Sequence, residues 1–155
     1  MRIAAKQKNK QGESAMVVGT HSHTVDPKGR VFLPSKFRDD FGEVVFLAKS
    51  IDSCITAYPR EAWSEITKKI NSLPNTKARE YRRHFFSSAS EVQVDSQGRI
   101  LLPPELRDYA GIEKSVKIIG AGEYAEIWDE TRLAQHEEKI KADHSLEEML
   151  IELGL

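Results

Sequence analysis

With 155 residues, the chain has room for one domain or two small ones, and its 39% hydrophobic and 30% charged residues are those of an ordinary soluble globular protein. No run approaches 18 apolar residues, and the opening MRIAAKQKNKQGESAM has no apolar h-region, so neither a membrane span nor a secretory signal is expected. The net charge of −1 conceals a division: residues 1–90 hold 16 Lys and Arg against 9 Asp and Glu, whereas residues 91–155 hold 7 against 15.

Residues 1–15 are polar, with Lys6, Lys8 and Lys10, and are expected to be a disordered extension. HTVDPKGRVFL then reads as strand, tight turn, strand. Asp26, Pro27 and Gly29 suit the first, second and fourth positions of a type I turn, and the Asp26 carboxylate can accept hydrogen bonds from the turn backbone. LPSKFRDDF reads as a short helix with Pro34 in its first turn and Phe37 and Phe41 on one face. The strands EVVFLAK and CITAY follow. Cys54, the single cysteine, falls at the second of these; it excludes an internal disulfide and reads as a buried, inert thiol in a reducing compartment.

PREAWSEITKKINSLP predicts a helix with Trp63, Ile66, Ile70 and Leu73 on one stripe. NTKAREYRRHFFSSAS predicts a second helix, with Asn75 as N-cap and Arg79, Arg82 and Arg83 on the exposed side. Those arginines could form a phosphate stripe or simply a solvated face. At this point the chain repeats itself. DSQGRILLPPELR, beginning at Asp95, restates DPKGRVFLPSKFR, beginning at Asp26, 69 residues earlier.

Aligning Val25–Arg38 with Val94–Arg107 gives identities at Val25/Val94, Asp26/Asp95, Gly29/Gly98, Arg30/Arg99, Leu33/Leu102, Pro34/Pro103 and Arg38/Arg107. Unrelated segments of that length would share roughly one. Fainter correspondences continue, VVFLAK with VKIIGA and CITAYPREAW with YAEIWDETRL. The expected organisation is a first module over 20–64, a helical connector over 65–88, a second module over 89–132, and C-terminal helices over 133–155. At the end of the second module Asp129 is expected to cap ETRLAQHEEKIKAD. Ser145 with Glu148 reads as a capping box, ahead of an apolar stripe of Leu146, Met149, Leu150 and Leu153. A module of about 45 residues is marginal alone, so the two copies are expected to pair about a pseudo-twofold axis and complete one small, mainly β barrel.

A tight turn followed at once by Arg projects a long guanidinium from a rigid loop. Arg can grip a phosphate bidentately or read O6 and N7 of guanine. Arg30 and Arg99 are therefore candidate DNA contacts, although each could instead merely pair with Asp26 or Asp95 across its turn. Lys28, Lys36, Arg38 and Arg107 are further candidates. Arg38 and Arg107 lie at the short helices and could serve the fold instead. Asp26, Gly29, Asp95 and Gly98 read as turn formers. The first copy, with Lys28, Arg30, Lys36 and Arg38, should attract phosphate more strongly than the second, where Glu105 and Asp108 stand beside Arg99 and Arg107.

With Asp-x-x-Gly-Arg-x-x-Leu-Pro-x-x-x-Arg present twice, the sequence resembles the MraZ family of bacterial transcriptional regulators, built from two AbrB/SpoVT-type DNA-binding modules. The resemblance runs from about Met16 to the C-terminal helices; residues before Met16 depart from the family pattern. It implies a double-split, swapped-hairpin barrel with appended α-helices, ring-shaped homo-oligomers, and a cytoplasmic, nucleoid-associated protein. It implies binding of repeated operator elements in double-stranded DNA and repression of the family's own cell-division and cell-wall operon. The family's Asp-x-x-x-Arg signature maps onto Asp26 to Arg30 and Asp95 to Arg99, its arginine contacting DNA.

Other functions find little support. No P-loop, nucleophile elbow, paired metal ligands or Cys–His signature appears, so no enzyme, metal or cofactor is expected. His21 and His23 share a strand face but lack a further ligand nearby. The alternative is an antitoxin-like or scaffold module that uses the acidic, amphipathic C-terminal helix to bind another protein, unless that helix packs on its own body or on a neighbouring subunit.

Overall fold

The computed structural model describes residues 16–155; the expected disordered extension over 1–15 lies outside them. The first copy of the repeat supplies β1 (Val17–Thr24), β2 (Arg30–Phe32), α1 (Ser35–Phe41), β3 (Val44–Lys49) and β4 (Ile55–Tyr58). A helical pair, α2 (Arg60–Ser72) and α3 (Asn75–Phe86), leads to the second copy: β5 (Ser90–Gln93), β6 (Arg99–Leu101), α4 (Pro104–Ala110), β7 (Ser115–Gly122) and β8 (Ala125–Asp129). Two helices, α5 (Glu130–Asp143) and α6 (Ser145–Glu152), follow.

The strands form a six-stranded antiparallel sheet of order β1-β7-β8-β4-β3-β5 and a separate β2–β6 ribbon. Exchanging each element with its counterpart in the other copy reverses the first order into itself and leaves the second unchanged. That is the pseudo-twofold symmetry the duplication predicts. DPKG and DSQG do turn the chain as expected, yet the strands on either side of each turn do not zip together. Instead β1 pairs with β7 and β5 with β3, each across the copies, while β2 and β6 pair with one another. The fold is thus the double-split, swapped-hairpin barrel, mainly β with appended helices.

Alternation explains why the ribbon belongs to this core. Along β2 and β6 the inward positions are Val31 and Ile100, which face each other in register and are buried. They join Leu33, Phe37, Phe41, Leu102, Leu106, Val45, Leu47, Ile118 and Ile127 in one hydrophobic cluster drawn from both copies. Neither copy holds a closed core by itself. The α2–α3 pair covers the outer face of β3 and β4 through Ile70, Phe85, Trp63 and Ile66, with the Trp63 ring stacked on Phe46 and Phe85.

Several local expectations are corrected. Strand registers equate Val45 with Val116, since these pair with Val92 and His23, themselves 69 residues apart. The alignment of VVFLAK with VKIIGA is therefore slipped by one residue, because apolar residues run on in both strands and leave its register open. Asn75 is the first residue of α3 behind Pro74 rather than its cap, and its side-chain oxygen accepts from Arg82. Arg82 thereby folds back on the α2–α3 turn, reaching the carbonyl of Leu73 as well, instead of joining an exposed stripe. Ser145 opens α6 without capping it; His144, in a left-handed conformation, occupies the N-cap. Leu73, expected on the buried stripe of α2, is 45% exposed. Asp129 does cap α5, accepting from the Arg132 backbone N–H at 3.1 Å. Cys54 is fully buried, and burial pushes its thiol far above the usual range.

Candidate nucleic-acid interface

The two turns are built alike, atom for atom. In the first, the Gly29 N–H donates to the Asp26 carbonyl at 2.9 Å, and the Asp26 N–H to the Arg30 carbonyl at 2.8 Å. One Asp26 carboxylate oxygen accepts from the backbone N–H groups of Lys28 and Arg30, both at 2.9 Å; the other accepts from Arg30 Nε at 2.7 Å. In the second, Asp95 accepts from the backbones of Gln97 and Arg99 and from Arg99 Nε, all at 2.9 Å. These bonds hold both carboxyls below the ordinary value, the Arg30 or Arg99 backbone N–H contributing most and partial burial opposing it. Gly29 and Gly98 take φ of +87° and +84°, a conformation that glycine adopts without strain.

Arg30 and Arg99 therefore do pair with Asp26 and Asp95. The pairing uses Nε only. No hydrogen bond runs from their terminal nitrogens to any described residue, and their side chains keep 32% and 20% of their exposure. The carboxylate fixes the root of the guanidinium and leaves the bidentate edge open, so pairing and external contact are compatible. Arg99 also lies 5.9 Å from the centre of the Phe32 ring.

Arg38 and Arg107 are placed differently. Each bonds through Nε to a carbonyl of its own copy, Leu33 at 3.2 Å and Leu102 at 2.9 Å. Each guanidinium then spreads over the turn glycine of the other copy. A Cβ added to Gly98 would meet Arg38 Cζ at 2.3 Å, and one added to Gly29 would meet Arg107 Cζ at 3.0 Å. Main-chain bonds run beside them, from the Leu33 N–H to the Gly98 carbonyl at 2.9 Å and from the Leu102 N–H to the Gly29 carbonyl at 2.8 Å. Arg38 and Arg107 thus strap the two turns together. Lys28, within the first turn, and Lys36, on α1, are both exposed. Their counterparts are Gln97 and Glu105, and Glu105 already faces Lys49 at 3.6 Å.

Two residues complete the surface that sequence reasoning passed over. The side of the β2–β6 ribbon opposite Val31 and Ile100 carries Arg30 beside Leu101 and Phe32 beside Arg99. Phe32 and Leu101 are 42% and 50% exposed. The signal was present: period-two alternation in RVF and RIL puts residues 30 and 32, and 99 and 101, on one face. Nearby, His21 packs edge-on against Phe37. His23 is held below its usual pKa by burial first, then by His21 and Arg38. No metal-ligating cluster occurs among the described residues.

The chain that carries this surface matches a known family in sequence. The model described as "MraZ protein, putative antitoxin-like" matches the chain twice, over residues 16–84 and 85–150. This chain belongs to the MraZ family. The proteins named Transcriptional regulator MraZ from Heliobacterium modesticaldum and Acetivibrio thermocellus are 43% and 45% identical to it over 143 and 144 residues. Each alignment covers 90% of this chain and all of the relative. The first MraZ match takes in α2 and α3 up to His84, and the second begins at Phe85, within α3.

Proposed function

We propose that this chain is a sequence-specific, double-stranded-DNA-binding transcriptional regulator whose β2–β6 face and adjoining turns enter the major groove. The observation that carries this reading is the pair of Asp-braced arginines with unengaged terminal nitrogens on one outward face. A two-stranded ribbon fits a major groove, arginine pairs with guanine or phosphate, and exposed apolar side chains such as Phe32 and Leu101 suit thymine methyl groups. Lys28 and Lys36 add phosphate attraction from the first copy, and Arg38 and Arg107 hold the turns in place. The names of the MraZ relatives support a regulator. On this reading the protein works as a ring of copies on repeated operator elements, gaining from a high effective concentration. It occludes the promoter of its own cell-division and cell-wall operon and resides with the nucleoid in the cytoplasm.

Gel-shift titration with DNA from upstream of its own gene tests the reading. Arg30→Ala and Arg99→Ala are each expected to weaken capture by about 1–3 kcal/mol, roughly ten- to hundredfold. Unchanged affinity in the double variant would refute it. The alternative of a protein-interaction module draws on one observation, the uncovered apolar face of α6. That helix does not pack into its own barrel.

A further inference from the structure

Away from the β2–β6 face, a cleft of about 380 Å³ opens between α2, α3 and the turn joining β7 to β8. None of its lining residues belongs to β2, β6 or their turns, so it is separate from the proposed DNA surface. Its walls are aromatic. The Tyr58 ring lies 5.7 Å from Tyr124 and 6.4 Å from Phe85, and Tyr81 stacks on Phe85 at 5.9 Å. Tyr81 and Tyr124 keep 37% and 36% of their exposure, so these rings face an incoming molecule rather than the core. A concave, largely aromatic recess of a few hundred Å³ with a few polar groups is the usual form of a small-molecule site.

Charge narrows the class of ligand. Asp52, Glu65, Glu123 and Glu126 line the cleft against two lysines, Lys49 and Lys69. The Lys49 ammonium lies 3.6 Å from Glu105, which stands outside the cleft, so Lys69 is left to oppose four carboxylates. None of the four forms an ion pair with a described residue. Glu126 accepts from the Trp128 indole at 3.2 Å and faces the Cys54 thiol at 3.8 Å, neutral groups that leave its charge uncompensated. That charge is felt at the rings: burial first, and then the Glu126 carboxylate, raises the Tyr124 phenol above its usual value.

Both features favour a cation, since aromatic faces attract ammonium groups as carboxylates do. The placement of the carboxylates selects its shape. Asp52 lies in the turn between β3 and β4, Glu65 on α2, Glu123 in the turn between β7 and β8, and Glu126 on β8. No three acidic, His or Cys side chains among the described residues gather closely enough to hold one metal ion. A point charge therefore finds no coordination set here. A flexible chain of several ammonium groups can meet carboxylates on separate walls, while the methylene groups between them lie against the tyrosine rings.

We propose that this cleft binds a linear polyamine. Isothermal titration of spermidine into the full-length chain, at low salt and without nucleic acid, tests it. Wild type is expected to take up one spermidine per chain saturably. Glu65→Gln/Glu123→Gln changes two exposed residues, should melt like wild type, and is expected to bind at least about tenfold more weakly. Tyr124→Leu keeps all the charges and is also expected to weaken binding, through the lost ring face. Glu147→Gln/Glu148→Gln, the same change of net charge on exposed α6, is expected to bind like wild type. No saturable uptake by wild type would overturn the proposal. So would equal weakening by the two Gln pairs, the mark of diffuse attraction to an acidic surface, or wild-type affinity in both Glu65→Gln/Glu123→Gln and Tyr124→Leu.

Discussion

Gly98 adopts a positive φ and lies beneath the Arg38 guanidinium, so two separate demands fall on one residue. A side chain there must accept a left-handed backbone, costing about 1–2 kcal/mol, and must also displace Arg38. Gly29 meets the first demand equally and the second less tightly, with Arg107 at 3.0 Å from an added Cβ against 2.3 Å. Gly98→Ala is expected to destabilise more than Gly29→Ala in urea titrations. Arg38→Ala should relieve part of the Gly98→Ala cost and none of the Gly29→Ala cost, a coupling of at least about 0.5 kcal/mol. Asp26 and Asp95 add a dependence on pH. Their carboxyls are held below the ordinary 3.8 in the folded chain, so their stabilisation is complete above that value and is lost as pH falls through the lower folded values. Thermal melts at decreasing pH should show this acid sensitivity flattened in Asp26→Asn/Asp95→Asn.

Among the elements, strand exchange decides the architecture. β1 depends on β7, and β5 on β3, so residues 16–88 and 89–155 each lack the partners of an edge strand and half of the core. Prepared separately, the two fragments are expected to give disordered circular dichroism spectra; mixed in equal amounts, they should regain strand signal. Independent folding of either fragment would contradict the account. The turns, the first short helix and its buried Phe37 and Phe41 were legible in the sequence, because local chemistry sets them. So was the pairing of the copies, which the repeat itself announces. Which strand pairs with which was not legible, because DPKG and DSQG look the same whether their strands zip together or part into separate sheets. The site was legible to a similar depth. Asp26, Arg30, Asp95 and Arg99 stand out by spacing, but the seating of Arg38 over Gly98 joins residues 60 apart in sequence and depends on the tertiary fold.

For the molecule as a whole, the uneven charge of the two copies should appear in how DNA capture responds to salt. Lys28 and Lys36 are exposed, whereas their counterparts are Gln97 and Glu105. Lys28→Glu/Lys36→Glu is expected to flatten the slope of log affinity against log salt by about 0.9 for each phosphate that the variant no longer neutralises. Gln97→Glu should alter that slope less; equal effects would mean that both copies attract phosphate alike. The straps over Gly29 and Gly98 have one more consequence. Because each copy's arginine clamps the opposite copy's tip, neither tip can swing alone, and the pair behaves as a caliper with its jaws locked. On the proposed reading, a base substitution under one jaw weakens the grip by degrees, whereas a single inserted base pair between the jaws puts every phosphate beyond it out of reach.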